Sequence, residues 1–115
     1  GKQGLDRFIL FPDLPLVTVP LEDLSVNDGD PASFSCEVEA PNDADVQWYR
    51  GSKLLVQSLD YTQIREGPVL QLLITETFSD DEGEYKVVVS TDSGTASTTA
   101  KLIVSGRLMT FKSYC

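Results

Sequence analysis

A short acidic turn that runs into a valine-rich strand, residues 81–87, constrains the fold more than any other stretch of this chain. The spacing Asp81-x-Gly83-x-Tyr85 suits a corner at which the chain leaves one β-sheet and enters another. Gly83 permits a backbone conformation that residues with side chains disfavour, because it has no Cβ. Tyr85 can place its ring in a core and offer its hydroxyl to the backbone. The motif therefore predicts a corner of a β-sandwich.

Short apolar alternations separated by turn residues extend from Leu16 to Val104. In residues 32–38, for example, apolar side chains alternate with hydroxyl or acidic ones, which indicates a strand with one buried face. In residues 69–75 we expect Leu70, Leu72 and Ile74 to point inward, although Val69 and Leu73 are apolar too and leave the facing of this strand open. Turn signals about every eight to twelve residues predict an all-β fold of two packed sheets.

The alternation also predicts the domain organisation. Residues 1–14 have no clean period and are interpreted as a leading segment or linker, residues 15–104 as one domain, and residues 105–115 as a tail or linker. The 115 residues suffice for a single core without a metal or a disulfide. Residues 16–19 and 21–26 are predicted to form one edge strand broken at Pro20, since proline cannot donate to a central ladder.

The charge of the chain disfavours two classes of partner. Eighteen acidic residues against nine basic ones give a formal net charge of −9. Such a chain is repelled by nucleic acid and by anionic membrane surfaces, so neither is expected to bind. The sequence has no run of apolar residues long enough for a membrane span.

The two cysteines, Cys36 and Cys115, are interpreted as free thiols. Extracellular domains of this size usually use their cysteines as a disulfide staple, whereas a reducing compartment leaves them unpaired. Neither Asn27 nor Asn42 begins a glycosylation sequon. Cysteine usage therefore favours the cytoplasm.

Catalytic and metal chemistry is not expected. The chain has no histidine, the side chain most often used as a general base near neutral pH and the commonest metal ligand. We therefore predict no enzyme activity, no cofactor and no metal. An acidic cluster is interpreted as a solvated corner, with a calcium site as the alternative, although its spacing fits no EF-hand loop; it comprises Glu76, Asp80, Asp81, Glu82 and Glu84.

The spacing of several motifs resembles that of an intermediate-set (I-set) immunoglobulin domain over residues 15–104. These motifs are Cys36 followed by Trp48, then residues 72–74, then the Asp81-x-Gly83-x-Tyr85 corner, then Gly94 and Leu102-x-Val104. With Phe78 before the corner and Val87 two residues after Tyr85, the chain is similar to the intracellular domains of titin-like giant muscle and cytoskeletal proteins. The resemblance implies a two-sheet sandwich without the inter-sheet disulfide, because Val87 stands where disulfide-linked members have cysteine.

The same resemblance implies structural roles for individual residues. Trp48 would pack beside Cys36 in a core that includes Leu72 and Val87, and Asp81, Gly83 and Tyr85 would shape the corner. Two departures from the family pattern are Thr91, where asparagine is frequent, and Asp60, where arginine is frequent. The second puts in doubt a salt bridge to Asp81, for which Arg65 is only a distant substitute.

The function implied is a non-enzymatic structural and protein–protein interaction module of an intracellular sarcomeric or cytoskeletal multidomain protein, acting as a folded spacer and scaffold. An extracellular adhesion or receptor domain is the alternative. Expected partners are neighbouring immunoglobulin or fibronectin-type domains or filament proteins, engaged by strand addition at residues 16–26 or 95–104. The domain itself is expected to be a monomer, with a dimer through the tail residues Leu108, Met109, Phe111 and Tyr114 as a further possibility, and Cys115 as a crosslinking site.

Overall fold

Nine β-strands form two sheets in the computed structural model, which describes residues 13–106. The strands are β1 (Leu16–Val19), β2 (Leu24–Asn27), β3 (Ala32–Glu39), β4 (Asp45–Arg50), β5 (Lys53–Leu55), β6 (Tyr61–Glu66), β7 (Val69–Ile74), β8 (Gly83–Thr91) and β9 (Gly94–Ser105). A single 3-10 turn, Ser79–Asp81, joins β7 to β8. Most of the predicted leading segment, the tail residues named above and Cys115 lie outside the described residues.

The strands divide between a four-stranded sheet, in the order β1-β3-β7-β6, and a five-stranded sheet, in the order β2-β9-β8-β4-β5. This arrangement confirms the predicted all-β two-sheet sandwich. No helix among the described residues is long and apolar enough to cross a membrane.

The prediction of a single edge strand broken at Pro20 is wrong. β1 pairs antiparallel with β3 in one sheet, whereas β2 pairs parallel with β9 in the other. Between them the chain crosses from sheet to sheet, and Leu21 is buried at the crossing with its N–H donated to Thr98 Oγ1 at 3.1 Å. The two halves have the same kind of apolar pattern and differ only in their distant partners, so alternation alone did not reveal the change of sheet.

The core lies between the two sheets and follows the predicted alternation. On β7, Leu70, Leu72 and Ile74 are buried, whereas Leu73 on the other face is 37% exposed. β3 and β8 alternate in the same way and bury Phe34, Cys36, Val38, Tyr85, Val87 and Val89. Each fully buried large apolar side chain contributes about 1.5–3 kcal/mol to the free energy of folding.

The last strand, β9, is paired on its two sides over different lengths. On one side it pairs with β8 over residues 94–102, from Thr91↔Gly94 to Gly83↔Leu102. On its other side it pairs with β2 only near its end, where residues 24–27 of β2 face residues 102–105. The first half of β9 therefore has a ladder on one side only.

Candidate functional site

The corner is built around Tyr85, whose side chain is fully buried. Its hydroxyl donates a hydrogen bond to the backbone oxygen of Asp81 at 2.6 Å. The centre of its ring lies 5.0 Å from the centre of the Phe34 ring. Burial disfavours the charged phenolate and raises the pKa of Tyr85 to about 12. The tyrosine thus ties the turn to the core as a neutral hydrogen-bond donor.

Asp81 connects the turn to two neighbouring strands. One carboxylate oxygen accepts a hydrogen bond from the N–H of Phe78 at 2.8 Å, and the other lies 3.5 Å from Arg50 Nη1 and from the Tyr61 hydroxyl. Arg50 also donates to that hydroxyl at 2.9 Å. The cluster fixes the turn against β4 and β6.

Arg50, not Arg65, supplies the cation beside Asp81. Sequence reasoning considered only Arg65 as a substitute and missed Arg50, although Arg50 follows Trp48 by two residues on the same strand. β4 pairs with β8 so that Arg50 stands directly opposite Tyr85, which brings it to the corner. Arg65 points to other groups and donates to the backbone oxygens of Ala44 and Pro41.

Gly83 begins β8 in a conformation that side chains rarely adopt, with φ of +152°. A Cβ at this position would also lie 3.4 Å from Arg50 Cγ, at the near limit of ordinary contact. The corner therefore combines an unusual backbone angle with close packing, and both favour glycine.

The implied core residues lie in one buried cluster. Trp48 on β4 is directly opposite Val87 on β8, and Cys36 and Leu72 lie on neighbouring strands of the other sheet. Cys36 is a free thiol, and burial raises its pKa to about 11. A neutral, buried thiol is a weak nucleophile, so this cysteine is suited to packing and not to catalysis.

The residues of the corner and the core have structural contacts and offer few groups for catalysis or metal binding. Within residues 13–106 no group of three or more acidic or cysteine side chains is placed to hold a metal ion. Of the acidic cluster, Asp81 is engaged with Arg50, and Glu82 accepts the N–H of Val104 at 2.7 Å.

The first half of β9 is paired with another described strand on one side only. The N–H of Lys101 points away from β8 and donates to the Asp23 carboxylate at 2.8 Å. Because successive amides alternate in direction along a strand, the N–H groups of Thr95, Ser97 and Thr99 point the same way. These three residues are exposed, and no described strand pairs with them on that side.

A model of the immunoglobulin I-set domain family matches residues 15–104. The chain belongs to the immunoglobulin I-set family. Titin from Drosophila melanogaster is 35% identical to this I-set chain over 96 residues, which cover 83% of the chain and 0% of that protein to the nearest per cent. Across the first curated relatives, the chain spans from 0% to 15% of their length.

Solved I-set structures resemble the sandwich closely. Titin domain M4 has a TM-score of 0.78 and 30% identity, with 81% of this chain and 98% of that chain covered. The titin domains Z1Z2, solved in complex with telethonin, give a TM-score of 0.75 and 25% identity, with 79% and 47% covered.

Thr91, identified from the sequence as a departure from the expected pattern, has a defined position in this I-set domain. Its hydroxyl donates to the backbone oxygen of Asp13 at 2.8 Å and accepts the N–H of Ser93 at 3.1 Å. The side chain therefore closes the turn between β8 and β9 and also holds the residues that precede β1.

Proposed function

We propose that this chain is a non-enzymatic structural and protein–protein interaction module of an intracellular sarcomeric or cytoskeletal multidomain protein. It acts as a folded spacer between neighbouring domains and as a scaffold for other proteins. The observation that carries the proposal is the combination of an I-set sandwich with sequence and structural similarity to titin. An unbridged core at Cys36 and Val87 supports a reducing compartment.

The open half of β9 supplies the binding mechanism. An added strand would accept and donate main-chain hydrogen bonds at Thr95, Ser97 and Thr99, and side chains beside the edge would select the partner. Of the two edges expected from sequence, residues 16–26 are divided between the outer strands of the two sheets, and residues 95–104 are open only in their first part. We assign strand addition to residues 95–99.

A proline at Ser97 tests this mechanism. Ser97→Pro removes an outward N–H and blocks a new strand, but it leaves the bonds to β8 because those use the neighbouring residues. Ser97→Ala changes the same side chain and keeps the N–H, so it is the matched control.

The measurement is the distribution of the full chain, fused to a fluorescent protein, in cultured striated muscle cells. We expect wild type and Ser97→Ala to concentrate on the contractile or cytoskeletal filaments and Ser97→Pro to become diffuse, with melting temperatures checked on purified proteins. A folded wild-type chain that is diffuse contradicts the function itself. Filament localisation of a folded Ser97→Pro protein contradicts only the strand-addition mechanism.

A further inference from the structure

One end of the sandwich carries an acidic, apolar face beside the corner. Leu59 is 94% exposed and Phe78 is 47% exposed, and both line a cleft of about 400 Å³. Asp60, Glu76 and Asp80 line the same cleft. We call these five residues the acidic apolar face.

Both apolar side chains project from ordered turns. The Leu59 backbone oxygen accepts the Thr75 hydroxyl at 2.9 Å, and its turn is closed by the bond from Ser58 N to Tyr61 O at 2.9 Å. Phe78 is held by its two hydrogen bonds with Asp81. A partner that covers the face would therefore pay little backbone entropy to order it.

Within residues 13–106, the carboxylates of the face have no basic partner. Among residues 13–106 the single ion pair is that of Arg50 with Asp81, which leaves Asp60, Glu76 and Asp80 without a basic partner there. Apolar surface surrounded by free carboxylates is complementary to a segment that combines basic and apolar side chains.

The end of β9 lies near this face. Asp28 donates its N–H to the Ser105 oxygen at 3.0 Å, and the next residue, Gly29, donates to the Thr77 oxygen at 2.7 Å. Thr77 immediately precedes Phe78. The chain therefore leaves the last strand within a few residues of the face.

We propose that the acidic apolar face is the docking site of residues 107–112 of the same chain. This segment has Arg107 and Lys112 on either side of Leu108, Met109 and Phe111, and residues 107–115 contain no acid. Six extended residues span about 20 Å, enough to reach a face that begins beside the end of β9. A short link gives an effective concentration in the millimolar range, so even weak contacts suffice.

The docking is weakened by salt, and another segment can replace residues 107–112 on the face. Exposed ion pairs contribute only about 0.2–1 kcal/mol each, and charges farther apart than about 8 Å are screened at physiological ionic strength. A more basic or more apolar segment of a partner would displace residues 107–112. The face would then be uncovered only when such a partner arrives.

Limited trypsin digestion of the full chain tests the proposal, with cleavage after Arg107 and Lys112 followed by mass spectrometry. The reference is a synthetic peptide of residues 105–115, which is unprotected. We expect cleavage at these two sites to be at least about fivefold slower in the chain, and Leu59→Ser to restore most of the peptide rate. Leu54→Ser, which changes an exposed leucine on β5, is the control and should leave the protection intact.

A second pair of variants tests how much the carboxylates of the face contribute to protection. Glu76→Gln with Asp80→Asn should accelerate cleavage about threefold at low salt, whereas Glu37→Gln with Glu39→Gln, on exposed positions of β3, should not. Equal rates in chain and peptide would overturn the proposal, as would protection that survives Leu59→Ser. Protection that grows with protein concentration would also overturn it, because the occupant would then be a second copy.

Discussion

Tyr85 and Cys36 give the core a defined response to alkaline pH. Burial raises their pKa values to about 12 and about 11, above the ordinary values of about 10 and 9. For each group, at a pH between its ordinary pKa and its raised pKa, the unfolded chain has released a proton that the folded chain keeps. The stabilisation is complete below about pH 9 and is lost as the pH rises to 12.

We therefore expect the free energy of unfolding to fall by roughly 1 kcal/mol per pH unit or more between pH 10 and 12. Tyr85→Phe removes a titrating group, so its stability should fall less steeply over this interval, although it starts lower because the Asp81 oxygen loses its donor. Urea unfolding of both proteins from pH 8 to pH 12 is the measurement. Parallel curves for wild type and variant would show that Tyr85 is not the source.

Val87 offers a direct test of core geometry. Val87→Cys should form a disulfide with Cys36 under oxidising conditions, closing a loop of about fifty residues with a nominal gain of ~2–4 kcal/mol. Cys115→Ser in the same chain prevents competing pairs. The prediction requires a mass loss of two hydrogens and a higher melting temperature when oxidised than when reduced; absence of either contradicts it.

At the scale of single residues, the sequence predicted the position of the corner but not the residue that pairs with Asp81. Asp81, Gly83 and Tyr85 lie close together in the chain, each separated from the next by one residue, so their spacing alone suggested a common turn. The cation was not predictable in the same way, because Arg50 reaches Asp81 only through the register of β4 against β8. A register of this kind depends on pairing between distant segments, and alternation within one segment does not specify it.

Among the elements, we expect the parallel pair of β2 and β9 to determine how strongly the sandwich resists stretching. β2 and β9 run in the same direction, so tension applied at the two ends of the chain pulls them past each other along their length. The hydrogen bonds between them are then loaded together. The N–H of Asp28 bonds to Ser105, and by alternation that of Val26 also faces β9 while that of Ser25 faces away.

We expect Val26→Pro to lower the unfolding force strongly and Ser25→Pro to lower it little, because only the first removes a bond to β9. Single-molecule stretching of the full chain between two handles measures both. Similar forces for the two variants would mean that the β2–β9 pair does not limit mechanical unfolding.

The positions of β3, β7 and β8 followed from alternation because each of these strands buries one face. The change of sheet between β1 and β2 did not, since both halves have the same kind of apolar pattern and differ only in their distant partners. For the same reason the open half of β9 was predicted only as part of a longer edge.

For the whole molecule, docking of residues 107–112 on their own chain implies a monomer. We expect light scattering to give monomer masses for the full chain and for a version that ends at Val104. A dimer of the full chain alone would support the tail-mediated dimer instead and would contradict docking within one chain.

The unbridged core also determines how extensible the molecule is. Once the sandwich opens, no covalent link holds Cys36 near position 87, so the intervening stretch of about fifty residues can lengthen by roughly 180 Å. A disulfide between these two positions would prevent the intervening residues from extending. If several such domains were linked in series, as in the proposed function, each would extend to its full unfolded length under tension and shorten again on refolding.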